Sequence, residues 1–109
     1  GISRTGHTTP DTITANQVLG WCESNDKKKV FCMYYLYGLL QGMNAANLGW
    51  KVGQQICWPK NMTAGQLARM FVKSANEKPE ELHISASAFI YVFTAQTFRR
   101  STAKGSCPD

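Results

Sequence analysis

The sequence predicts a small all-α domain, a bundle of about four helices braced by one or two disulfides. Three observations lead there. The run from Val30 to Met43 is apolar around most of a helical circumference. It is too long for one ordinary strand and too short for a membrane span, which needs ~20 apolar residues. Two stretches, Thr14-Ala15-Asn16-Gln17 and Thr63-Ala64-Gly65-Gln66, fit capping boxes. In that motif a Thr hydroxyl and a Gln side chain satisfy the free backbone N–H groups at a helix start. Lastly, Cys22, Cys32, Cys57 and Cys107 make an even set with no CxxC pair. That is the arithmetic of two disulfides rather than of a zinc site, and it implies an oxidising compartment.

Residues 1–13 read as a flexible arm, rich in Thr, Gly and Ser with Pro10, and residues 14–109 as a single helical domain. A first helix from the Thr14 cap to about Ser24 offers Val18, Leu19, Trp21 and Cys22 to the core. Ser24-Asn25-Asp26 is a turn that also suits the cap of the next helix. The second helix, from about Lys28 to Asn47, is expected to be central and buried on nearly every side. Its glycines, Gly38 and Gly42, are expected to admit another helix closely. Gly49 to Lys60 is irregular, because glycines break the helix and Pro59 requires an extended residue before it.

The third helix starts at the Thr63 cap and ends near Asn76, with Leu67, Met70, Phe71 and Ser74 facing inward. Pro79 suits the first position of a fourth helix, with Glu80 and Glu81 placed favourably against its dipole. That helix carries Leu82, Ala86, Phe89, Ile90, Phe93 and Phe98 at helical spacing, although Phe89 to Phe93 is β-prone. The expected disulfide pairing is Cys32–Cys57 with Cys22–Cys107, one of the three that four cysteines allow.

The net charge of +5 comes from Lys27-Lys28-Lys29, Arg99-Arg100 and scattered lysines. These read as solvated helix ends. A nucleic-acid surface would interleave cations with stacking aromatics, and the aromatics here fall at positions read as core. Neither nucleic-acid binding nor membrane insertion is expected. The sequence has no Gly-rich phosphate loop, and no cofactor or metal is expected. His83 and Ser85 lie two apart, a spacing that points them to different helix faces. No third group marks a hydrolase, so catalytic residues are not expected.

The order of features carries a family resemblance. Leu19 and Cys22 mark a leading helix. Phe31-Cys32-x-Tyr34 then runs on to Gly38 and Gly42. Ile56-Cys57-Trp58-Pro59 and Thr63-x-x-Gln66-Leu67 follow. Asn76-x-x-Pro79-Glu80-x-Leu82-x-x-x-Ala86 leads into the last helix. Over residues 14 to 100 this resembles the Rap1a/Tai family of type VI secretion immunity proteins. The family's aromatic-Pro-Cys ending is replaced here by Phe98-Arg99-Arg100, with the cysteine later at Cys107.

The resemblance implies a non-enzymatic protein exported to the periplasm. It would neutralise a cognate secreted effector by occluding its active site. In the Tai4-like branch that effector is a peptidoglycan amidase and the immunity protein a homodimer. Two segments are expected to face the partner: Gly49, Trp50 and Lys51, with Trp50 as an aromatic anchor, and Asn76, Glu77, Lys78 and Glu80. The competing reading is a periplasmic stress chaperone of the acid-activated HdeA type. Opening in acid needs many carboxylates, and only seven Asp and Glu are present.

Overall fold

The computed structural model describes residues 12–50, 55–59, 61–98 and 107. Residues 1–11, most of the expected arm, lie outside them. Among the described residues the chain forms α1 (Ala15–Cys22), α2 (Lys28–Leu48), α3 (Ala64–Glu77), a 3-10 turn (Pro79–Glu81) and α4 (Ala86–Thr97). The all-α bundle and its disulfide bracing are therefore as expected.

Both capping boxes form. Thr14 accepts from the Gln17 N–H at 3.2 Å, and Gln17 accepts from the Thr14 N–H at 2.9 Å. Thr63 and Gln66 repeat the exchange at 3.1 and 2.8 Å. The turn before α2 is capped by Asp26, whose carboxylate accepts from the Lys28 N–H at 2.8 Å and the Ser24 hydroxyl at 2.6 Å. Lys29 caps the preceding helix, its ammonium donating to the Cys22 carbonyl at 2.8 Å. A cation at a helix C-terminus is stabilising.

The Ser24 hydroxyl, and next the Lys28 N–H, hold the Asp26 carboxyl below its ordinary pKa. A carboxylate whose folded pKa is lowered adds stability that is complete above its unfolded pKa. That stability is lost as pH falls through the lowered value. Asp26→Asn should therefore be less stable than the wild type near neutral pH. The gap should close steadily as the solution is made acid, and urea unfolding across that range checks it. A gap that widens in acid would refute the assignment.

The packing centre is α1, not α2. Its eight residues pack on α2, α3 and α4, and Ala15, Val18, Leu19 and Cys22 are all buried. Helix α2 buries one face only, through Cys32, Leu36, Leu40 and Met43. The expectation that it is apolar-buried all round is wrong. Val30, Phe31, Tyr34 and Tyr37 are exposed, and nothing lies within 4 Å of where a Cβ on Gly38 or Gly42 would sit. A four-helix domain of this size cannot enclose a 21-residue helix. Helices α1 and α3 meet it on one side and leave the other outward.

The fourth helix also differs. Pro79 opens a single 3-10 turn, and α4 starts only at Ala86. Ser85 caps it, its hydroxyl accepting from the Ala88 N–H at 3.1 Å. Leu82 is buried from the connection rather than from the helix. The β-prone run is helical, and Phe89, Ile90 and Phe93 fill the core. Phe71 of α3 stands edge-on to Phe89 at 5.7 Å.

The disulfide pairing is Cys22–Cys32 and Cys57–Cys107, with Cα–Cα distances of 4.9 and 5.6 Å. This corrects the expected Cys32–Cys57 and Cys22–Cys107. The short turn between α1 and α2 folds the two helices back on each other. Cys22 at the end of one then meets Cys32 near the start of the other, both inside the core. Cys57 and Cys107 sit at the periphery, half-buried and exposed.

Candidate functional site

The first expected segment follows α2 and is closed by one side chain. Asn47 donates to the Ile56 carbonyl at 3.0 Å and accepts from the Ile56 N–H at 2.7 Å. Its own carbonyl accepts from the Gln55 side chain at 3.0 Å. The amide thus pairs with Ile56 as a neighbouring strand would. It ties the two ends of the loop together and seats Ile56 in the interior. Gly49 is exposed at the end of α2, its N–H donating to the Ala46 carbonyl at 2.9 Å.

Trp50 is half-buried and stands edge-on to Tyr91 of α4, with ring centroids 5.6 Å apart. Part of the indole is thereby spent on the domain itself, and part stays accessible. Lys51 lies outside the described residues. Beyond the loop, Trp58 packs on Phe98 at 5.4 Å, next to the Cys57–Cys107 bridge.

The second segment is a braced turn. The Lys78 N–H donates to the Ala75 carbonyl at 3.1 Å, and the Glu81 N–H to the Lys78 carbonyl at 3.0 Å. The chain then runs beside the start of α1. Ala15 and Asn16 donate to the carbonyls of Ile84 and Leu82, both at 2.9 Å, and Ala86 donates to Ile13 at 2.8 Å. On the other side Asn76 donates to Glu23 at 3.1 Å. Glu77 and Glu80, with Glu81 beside them, remain exposed, and Lys78 is half-buried. The result is a rigid acidic ridge on a chain of net charge +5.

The two segments are anchored on different helices, Trp50 on α4 and Asn76 on α1. Among the described residues no hydrogen bond or ring contact joins them. A feature absent from the sequence reading lies beside the second one. A groove of about 670 Å³ runs between α1, α2 and α3, lined by apolar Met33, Ala68 and Val72 and by charged Glu23, Lys29, Arg69 and Lys73. The i, i+4 spacing of Arg69 and Lys73 put them on one helical stripe. Only the packing of Met33 against α3 shows that the stripe borders a groove.

Ser85, the nucleophile weighed in the sequence, is engaged as the α4 cap. His83 is exposed. Among the described residues no group of three or more His, Cys, Asp or Glu could hold a metal ion. No helix among them is long and apolar enough to cross a membrane.

In comparison with known proteins, residues 14–99 match the family model for Rap1a immunity proteins. No curated protein and no solved structure matches the chain. The matched span begins at the first capping box and covers all four helices.

Proposed function

The chain belongs to the Rap1a immunity protein family, and from that premise we propose that it is a periplasmic, non-enzymatic inhibitor. Its target is a cognate type VI secretion effector of the peptidoglycan-amidase class, whose active site it occludes, and it acts as a homodimer. The family match across all four helices carries the reading. Two disulfides support an oxidising compartment. The braced ridge of Glu77, Lys78 and Glu80 supports occlusion, because a segment already held in shape loses little entropy on docking. Asn76 belongs to this surface through its tie to Glu23. Gly49, Trp50 and Lys51 form the second contact, with the outward part of Trp50 as its anchor.

A pull-down with the protein as bait, against secreted and periplasmic proteins of its source and close relatives, identifies the effector. A peptidoglycan-digestion assay then reads inhibition. The expected result is one hydrolase captured at fixed stoichiometry and silenced by the bait. Glu77→Lys with Glu80→Lys, and separately Trp50→Ala, should each weaken binding at least tenfold, about 1.4 kcal/mol, with helical content unchanged. Digestion undiminished by excess bait would refute the function. Unchanged affinity in both variants would move the contact to another surface.

A further inference from the structure

The outward face of α2 is largely unused by the fold, Phe31 alone standing edge-on to Trp21 of α1 with ring centroids 5.9 Å apart. Phe31, Tyr34, Gly38, Gln41, Ala45 and Leu48 recur at alternating spacings of three and four and are all exposed. Tyr34 is 74 % exposed, Leu48 83 % and Phe31 49 %, with Tyr37 at 56 % and Val30 at 48 % on the flank. This is the spacing of a helix–helix seam, and it lies opposite the buried stripe of the same helix. Between Lys29 and Lys51 the sequence has no Asp, Glu, Lys or Arg.

We propose that this face packs against the same face of a second copy, the two α2 helices running antiparallel about a two-fold axis between Gly38 and Gln41. Charge favours this occupant. A chain of net charge +5 repels its own copy over most orientations, and like charges brought together at an interface are costly. Between Val30 and Leu48, past the two lysines that open α2, that repulsion is absent.

The pattern is also self-complementary, as a two-fold contact requires. In this register Tyr34 meets Ala45 of the second copy and Phe31 meets Leu48. The open surface at Gly38 leaves room for the Gln41 side chain. Area is sufficient. Taking about 150–250 Å² for a whole aromatic side chain, complete cover of the exposed apolar residues in two copies would bury about 1,100 Å², just above the ~1,000 Å² that a biological interface should clear and at the small end of the range.

The inference gives a surface to the homodimer proposed above and rests on it. The test is sedimentation of the intact protein from micromolar to several hundred micromolar, with Tyr34→Lys and Ala45→Lys. The wild type should dimerise, and each variant should raise the dissociation constant at least tenfold with unchanged helical content. Gln41→Cys treated with a short bis-maleimide should give a covalent dimer. Leu48→Cys should not, because antiparallel pairing sets the two Leu48 positions about 25 Å apart.

A dimer indifferent to both lysines would overturn this surface and leave the homodimer standing. A protein monomeric at every concentration would overturn both. Cross-linking through Leu48→Cys and not Gln41→Cys would overturn the antiparallel arrangement. Loss of effector binding in Tyr34→Lys, with a monomeric wild type, would give the face to the effector instead. The digestion assay reports separately on the immunity function.

Discussion

Replacing Cys22 and Cys32 together by alanine should lower the unfolding free energy by about 3 to 5 kcal/mol. The bridge closes a loop with a sequence separation of 10. Loop-closure entropy alone accounts for about 3 kcal/mol of that in the unfolded chain. The remainder follows from the native state, where both sulfurs lie inside the core and their removal leaves a cavity. Urea unfolding of the double variant reads the loss, and a change below about 1 kcal/mol would refute it. Pairing has its own readout. Trypsin cuts after Lys27, Lys28 and Lys29, between the two cysteines. Without reductant, the peptide ending at Lys27 should stay bound to the one spanning Val30 to Lys51. Recovery of either joined to the Cys57 peptide would overturn the pairing.

Phe71→Ala should cost about as much, roughly 3 to 5 kcal/mol. Phe71 is fully buried and edge-on to Phe89, which in turn tilts against Phe93 at 6.0 Å. Truncation removes the α3 end of this aromatic row, and the helices on either side cannot close the space without unseating Phe89. The matched control is Tyr34→Ala, which removes a larger side chain from the outward face of α2. Measured at a concentration where the chain is monomeric, it should change stability by no more than about 0.5 kcal/mol. Equal losses in the two variants would mean that the outward face of α2 is part of the core.

Most helix starts were legible because their chemistry is local. Thr14 with Gln17, Thr63 with Gln66, and Asp26 each act within three residues, so a short window of sequence contains the whole device. The large inward residues of α1 and α3, Val18, Leu19, Cys22, Leu67 and Phe71, were legible because they mark one clear stripe, whereas buried Ala15, Ala68 and Ala75 were not, and Trp21, Met70 and Ser74 are only half-buried. Helix α2 was misread because its apolar residues go all the way round. Composition could show that Tyr34 and Tyr37 are apolar, but not that α1 and α3 both meet α2 on its far side. The disulfide pairing failed for a related reason, since the fold-back of α2 on α1 decides which sulfurs meet. Pro79 suits a helix start on local grounds, but residues 82–86 run beside residues 13–16 before α4 begins. The acidic ridge was legible as residues, whereas its bracing was not, because the start of α1 and Glu23, 53 positions from Asn76, are far away in the chain.

The placing of α1 at the packing centre has a consequence for how the molecule opens. An isolated helix of eight residues is unstable in water, so α1 exists only while its neighbours hold it. All three other helices do, and the Cys22–Cys32 bridge ties its end to α2. No partial opening can then release α1 and keep the remainder of the core. In native-state hydrogen exchange the amides of Leu19 and Cys22 should exchange at the rate of global unfolding. Amides near the Leu48 end of α2 should exchange through smaller openings. The shortest helix is thus the slowest to exchange.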